Sequence, residues 1–228
     1  MIGRSSRALA GMFAACIAAA AVQAQAAESD IIGDMGTHIA KASDTLLDIA
    51  RDAGLGYVEI VAANPEIDPW LPGEGTKVVL PTAHVLPAAP RRGIVVNLGD
   101  FRLYYFRPDG TRLSFPIGIG REAGMTPLGE TRVVGKRVNP LWIPPPAVRA
   151  DDPSLPMAVA PGPDNPLGAY SLDLAWEAFR IHGTNRPDLL LDPDPDARRV
   201  SHGCIRLTNE AARELYHRVE VAPPAASA

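Results

Sequence analysis

The sequence predicts a mostly β chain, closed as a barrel or stacked as a sandwich, with a small strand–helix–helix–strand (βααβ) unit in front of it. Runs of Val, Ile, Tyr and Phe recur at short intervals beyond residue 93, whereas helical spacing is confined mainly to residues 44–63 and the stretch after Leu207. The 23 prolines and 20 glycines, against 6% aromatic residues, divide the chain into short elements joined by turns.

The chain opens on MIGRSSRALAGMFAACIAAAAVQAQAAESD. Arg4 and Arg7 precede an apolar run from Ala8 to Val22, and Ala24 and Ala26 flank Gln25. A short basic segment, an apolar segment and an A-x-A site read as a signal peptide over residues 1–26, cleaved near Ala26. The apolar run is short for a membrane span, and no basic stop signal follows it. Cys16, after Phe-Ala-Ala, stands at a poor site for lipid attachment. Loss of Arg4 and Arg7 takes the formal charge from -4 to -6, with 20 basic against 26 acidic residues. A mildly acidic protein is not built to bind nucleic acid or an anionic membrane nonspecifically.

Residues 34–82 form the first unit. Thr37 to Ala42 reads as a strand. Asp44 then precedes TLLDIARDAG, whose Leu46, Ile49, Ala50 and Ala53 share a helical face, with Asp44 as N-cap and Gly54 as stop. Tyr57 to Ala63 reads as a second helix ended by Asn64-Pro65, and KVVL at 77–80 as the returning strand. Residues 83–92 (AHVLPAAPRR) read as a linker with few apolar anchors. The larger unit, residues 93–222, has strands expected at Ile94 to Leu98, Arg102 to Phe106, Leu113 to Ile117, Thr131 to Arg137 and Phe179 to Ile181, with Asp109-Gly110 as a hairpin turn. The proline-rich stretch 139–166 predicts sparse regular structure, and its tail leads into another strand. Thr208 caps a last helix that turns Leu215 and Val219 inward.

Cleavage of the signal would leave one thiol, Cys204, within RRVSHGCIRL. An odd cysteine in an exported protein is an intermolecular bridge or a free reactive thiol. A reactive thiol needs a base or a positive neighbour. His182 ends the apolar strand AFRI and is followed by Gly183-Thr184, which presents it at a rim; it is the favoured base over His202. Gly203 lets the backbone approach a bound carbonyl, so the amides of Gly203, Cys204 and His202 are candidate oxyanion donors. Arg206 could hold a substrate carboxylate or pair with a nearby acid such as Glu210.

IHGTN at 181–185 followed by RRVSHGCIRL at 198–207 resembles the signature of L,D-transpeptidases of the YkuD family. NPLWIPPP, PGPDNPLGAY and GIVVNLGDFRLYYF also resemble that family, and the resemblance is nearest to the subgroup that attaches an outer-membrane lipoprotein to peptidoglycan in Gram-negative bacteria. It implies a YkuD-type β domain, Cys204 as nucleophile and His182 as proton donor and acceptor. Ser201, His202 and Gly203 match the loop around the thiol, Gly183 and Thr184 the His-Gly-Thr motif, and Arg206 the trailing arginine. The implied partners are peptidoglycan stem peptides and glycan, with a lipoprotein lysine or a second stem as acceptor. The implied location is the periplasm, with no cofactor and no metal. Between the motifs, RPDLLLDPDPDA at 186–197 departs from the family, bears four acids and reads as a surface loop near the site. Residues 34–82 resemble a LysM module through SDTLLDIARDAG, AANP and LPGEGTKVVLP, although Ala42-Ser43 stands where a glycine often precedes Asp-Thr. That resemblance implies glycan contacts near Ser43, Asp44 and Asn64, and a separable tether, so that a chain starting near Pro90 should fold alone.

Three other readings compete. A metal site from His182, His202 and Cys204 lacks a fourth ligand and Cys-x-x-Cys spacing. A papain-like peptidase places its cysteine before its histidine, the reverse of the order here. A wall-binding protein with a dead catalytic domain is disfavoured by intact His182, Gly203 and Cys204.

Overall fold

The computed structural model describes residues 29–190, 192 and 194–222. The expected signal peptide, with Cys16, lies outside the described residues. β1 (Ile31–Ile32) and β2 (Gly36–Ile39) precede α1 (Leu46–Asp52) and α2 (Tyr57–Ala63), and β3 (Lys77–Leu80) returns antiparallel to β2. The order from β2 to β3 is the βααβ order the spacing predicts. The unit has its own core of Ala40, Leu46, Ile49, Ala50, Leu55, Ile60 and Val78. The cap of α1 differs from expectation. Thr45, not Asp44, is the N-cap, and its hydroxyl accepts from the Asp48 amide at 3.1 Å. The Asp44 carboxylate is occupied by His38 Nε2 at 2.8 Å and the Lys41 amide at 3.0 Å. Asn64 is buried, and its side chain clamps α2 to β3 through Ile60, the Val79 carbonyl and the Val79 amide. That saturates the Asn64 side chain, so it is not free to meet a glycan.

The stretch 83–92 is not a loose linker. β4 (His84–Val85) pairs with β1, and Leu86 packs with Tyr104 and Phe106. Beyond it, β5 (Gly93–Asn97), β6 (Arg102–Phe106) and β7 (Arg112–Pro116) form a three-stranded antiparallel sheet. Every residue of β6 is buried because both of its faces are covered. Leu103 and Tyr105 enter the main core, while Tyr104 and Phe106 meet Leu86.

β8 (Ile119–Gly120), β9 (Val133–Val138), α3 (Pro146–Asp151), β10 (Tyr170–Leu174), β11 (Arg180–His182), β12 (Arg199–Ser201), β13 (Ile205–Arg206) and α4 (Asn209–Arg218) complete the chain. A second sheet runs β13-β11-β10-β9, and β8 pairs parallel to β12. Leu103 and Tyr105 from one sheet, Leu172, Ile181 and Ile205 from the other, and Ala212 and Leu215 of α4 share one core. This is the sandwich alternative of the predicted fold class. A closed barrel is not formed among the described residues: β5 and β9 do not pair, and a cavity of about 670 Å³ lies between them, lined by Ile94, Val96, Tyr105, Val133, Leu174 and Val219. Residues 126–132, which also line that cavity, include Pro127 and Gly129, poor residues for completing a ladder.

Candidate active site

β11 is central in its sheet. It pairs antiparallel with β10, Ser171 opposite His182, and parallel with β13, Ile181 opposite Ile205 and His182 opposite Arg206. Ile181 and Ile205 point into the core. Side chains alternate along a strand, so Arg180, His182, Cys204 and Arg206 are directed to the other face. The core packing of two isoleucines thus sets the thiol and the imidazole on one surface, although 22 positions separate them in the sequence.

His182 is buried, and its Nδ1 lies 2.6 Å from the Gly183 carbonyl. A carbonyl can only accept, so Nδ1 carries the proton and Nε2 keeps the lone pair. Burial, reinforced by the Arg206 guanidinium, pushes the His182 pKa down to about 3. The imidazole is therefore neutral at rest, and the same surroundings make it a weak base. Burial likewise pushes the half-buried Cys204 thiol up, while the Arg180 amide and the guanidinium groups of Arg180 and Arg206 act in the opposite sense. At rest the site holds a neutral thiol and a neutral imidazole on the same face of the sheet. Cys204 Sγ is directed at the Ala178 carbonyl, 3.7 Å away.

The loop around the thiol is braced from within. Ser201 Oγ donates to the Cys204 carbonyl at 2.6 Å and accepts from the Gly203 amide at 3.0 Å. Thr126 Oγ1 donates to the Gly203 carbonyl at 3.0 Å and accepts from the Gly120 amide at 2.9 Å. Gly203 has φ +107°, and a Cβ there would come within 2.3 Å of the Phe179 ring. Glycine is thus demanded by backbone conformation and by space together. One expectation fails here: the Gly203 amide is spent on Ser201 and cannot serve as an oxyanion donor. Ser201 is 3% exposed and acts as a brace, not a substrate contact.

Gly183 and Thr184 also serve the scaffold. Thr184 is 1% exposed, and its carbonyl accepts from Asn209 Nδ2 at 2.9 Å. A Cβ on Gly183 would lie 2.1 Å from Asn209 Oδ1. Asn209 is the first residue of α4, whose Thr208 N-cap is as predicted. The helix start therefore buttresses the His182 loop. Arg206 has no ion pair with Glu210 or with any other acid among the described residues, and its Nε is buried without a partner. In the 186–197 stretch, Leu190 is fully buried against Gly118, which makes it an anchored loop; residues 191 and 193 lie outside the described residues.

His202 faces a different set of groups. Its Nε2 lies 2.7 Å from Asp151 Oδ2 and 2.7 Å from an Arg121 Nη, and Arg121 also pairs with Asp151. With Nε2 engaged by the Asp151 carboxylate, His202 is a poor candidate for the base of Cys204. Among the described residues no cluster of three His, Cys, Asp or Glu side chains could hold a metal ion. Sequence reasoning missed Arg121, Thr126, Asp151 and Asn209, each distant in the chain from the residue it braces. Of these only Asn209 carried a signal, its place directly after the predicted cap.

The L,D-transpeptidase catalytic domain of the YkuD type matches residues 91–225. The chain belongs to the YkuD family. Probable L,D-transpeptidase YcfS of Escherichia coli K12 is 36% identical to it over 85% of this chain and 62% of YcfS. Probable L,D-transpeptidases ErfK/SrfK and YbiS of the same organism are 39% and 38% identical, each over 75% of this chain and over 55% and 56% of their own lengths. The chain thus spans a little over half the length of these YkuD relatives. His182, Cys204 and their braces all lie inside the matched YkuD residues.

Proposed function

We propose that this protein is a periplasmic L,D-transpeptidase that remodels peptidoglycan through a thioester on Cys204. The observation that carries the reading is the placement of Cys204 and the neutral, buried His182 on one face of the β10-β11-β13 sheet, within a domain of the YkuD family. In the first half-reaction Cys204 Sγ attacks the carbonyl of the third residue of a tetrapeptide stem. His182 Nε2 takes the thiol proton and passes it to the departing amine of terminal D-alanine. The C–N bond breaks, the C–S bond forms, and the acyl energy is retained without ATP. In the second half-reaction an amine attacks the thioester, His182 accepts its proton, and the thiolate leaves and is reprotonated. With the Gly203 amide occupied, the amides of Cys204 and His202 are the donors left for the oxyanion. Arg206, unpaired and close to the thiol, suits a carboxylate of the stem.

The acceptor is a lipoprotein lysine or a second stem, and water in its place gives carboxypeptidase activity. Residues 34–82 are read as a LysM-like module against the glycan, and residues 1–26 as the export signal; the similarity to YcfS, which covers 85% of this chain, reaches ahead of residue 91. The test is mass spectrometry of tetrapeptide muropeptides incubated with the protein and candidate amines. Release of D-alanine with a new amide is expected. Cys204→Ala abolishes it, His182→Ala loses about 10²- to 10⁴-fold, and His202→Ala loses less. Turnover by Cys204→Ala would refute the mechanism, and the reverse ranking of the histidines would refute the assignment of the base.

A further inference from the structure

Residues 139–168 leave the sheet after β9 and rejoin it at β10. The excursion is closed at its base and internally stiff. The Asn139 amide donates to Ala169, and the buried Asn165 Nδ2 donates to the carbonyls of Pro140, Val159 and Ala160 at 2.9, 3.1 and 3.1 Å. Trp142 bridges Val159, and the Arg149 guanidinium ties down the carbonyls of Leu155, Pro156 and Met157. Its base rests on the His182 loop. Gly168 packs so closely on Gly183 and Thr184 that a Cβ would come within 2.8 Å of both, and Asn185 donates to the Asp164 carbonyl at 3.1 Å. Its other attachment is Asp151, at the end of α3, which pairs with Arg121 and lies 2.7 Å from His202 Nε2. His202 is confined on its backbone side by Gly124, where a Cβ would lie 3.0 Å from His202 Cα. The excursion is therefore a strap with one end at the base and the other at the nucleophile loop. Arg121 and His202 share Asp151 as their acid, and both contacts hold its carboxyl below the usual range, so it stays ionised.

We propose that Asp151 is a positioning residue for the transfer reaction: it fastens the 139–168 strap to the loop that carries Cys204, and so fixes one wall of the groove in which the stem peptide lies. Arg121 and His202 are its two anchors. This rests on the reading of Cys204 as nucleophile. A wall that contacts substrate equally before and at the transition state changes binding, not the chemical step. A surface ion pair with no such role leaves both unchanged.

The test uses full-length protein carrying Asp151→Ala or Asp151→Glu, a soluble tetrapeptide donor with an amine acceptor, and alkylation of Cys204 by iodoacetamide. Asp151→Ala is expected to raise KM for the donor about fivefold, with kcat within about twofold and thermal midpoint unchanged, the scale of losing one partly exposed ionic contact. Alkylation of Cys204 becomes faster as the wall loosens, and Asp151→Glu, which can still reach both anchors, returns KM toward the parent value. An unchanged KM in Asp151→Ala, or an Asp151→Glu variant no better than Asp151→Ala, overturns the proposal. Turnover that survives Cys204→Ala, or parent protein that iodoacetamide modifies without loss of activity, instead overturns the nucleophile reading, whatever Asp151 does.

Discussion

Replacing Glu59 by Gln tests whether the N-terminal unit is a tether or a structural partner of the β domain. Arg102 of β6 is 3% exposed. Its Nη1 lies 3.1 Å from both Glu59 carboxylate oxygens, an Nη donates to the Gly54 carbonyl at 3.3 Å, and Ser114 Oγ accepts from Nε at 2.9 Å. Among the described residues Glu59 is the acid that pairs with this buried cation, and it comes from α2. Removing one partner of a buried pair costs about 3–5 kcal/mol, because the other charge stays buried. The Glu59 side chain is 27% exposed, so solvent screens part of the pair and about 2–3 kcal/mol is the fitting expectation. For a chain of this size that lowers the thermal midpoint by about 5–10 °C. Gln keeps an acceptor for the Gly56 amide, which Glu59 Oε2 holds at 2.6 Å, so the substitution removes charge while sparing the start of α2. Glu214→Gln is the control: it breaks the Glu214–Arg218 pair, in which both side chains are more than a third exposed, and should move the midpoint by about 1 °C or less. Differential scanning calorimetry on the two variants decides the matter. A shift for Glu59→Gln no larger than the control refutes the reasoning. Two separate transitions, with only the first moved, would show that the units unfold independently and restore the separable tether. If the large single shift is found, a chain starting near Pro90 loses both Glu59 and Leu86 and should fold poorly.

Gly203→Ala is expected to lower activity by at least about a hundredfold, since the new Cβ meets the Phe179 ring and the loop must move the thiol to make room; near-parent turnover on tetrapeptide would contradict this. His182 also makes stability depend on pH. Its folded pKa of about 3 lies below its ordinary 6.5, so below pH 6.5 the unfolded chain binds a proton that the folded one does not, and stability falls as pH is lowered toward 3. Between pH 6.5 and 5 that is about 2 kcal/mol; His182→Gln should lose this component in urea titrations at the two pH values, and an unchanged pH dependence would refute the assigned shift.

The residue pattern carried the strands, the two short helices and the placement of His182 and Cys204 as a candidate pair because each is a local signal: alternation, helical spacing, or a motif of adjacent residues. What it did not carry is contact between distant segments. Asp151 and His202 are 51 positions apart, and Thr126 and Gly203 are 77 apart. Nothing in PPPAVRAD marks Asp151 as facing the loop that carries His202 and Cys204, and nothing in AHVL shows that Leu86 will cover Tyr104. The Gly203 amide was misread for the same reason: Ser201 Oγ can claim it only in a turn whose shape Phe179 and Thr126 impose. The cap of α1 shows a different kind of miss. Asp44 and Thr45 both suit an N-cap, and His38 across the turn settled the choice by taking the aspartate.

The Arg206 guanidinium acts on both partners of the candidate site. It favours the thiolate of Cys204 and opposes protonation of His182, so it makes the imidazole a weaker base than burial alone would. In the proposed reaction, proton transfer places positive charge on His182, close to this guanidinium. A stem carboxylate bound at Arg206 would cancel that field, and the transfer would then become easier when substrate is in place. A donor whose terminal D-alanine carboxylate is capped as an amide should therefore lose more than binding. Its kcat should fall along with its affinity, because the uncancelled charge still opposes the imidazolium. Steady-state kinetics of the acid and amide donors, with parent protein and with Arg206→Gln, separate the two effects. In Arg206→Gln the field is gone, so kcat for the acid and amide donors should converge. A kcat gap between the donors that persists at full size in Arg206→Gln would show that the carboxylate acts elsewhere, and would remove Arg206 from the proton-transfer argument.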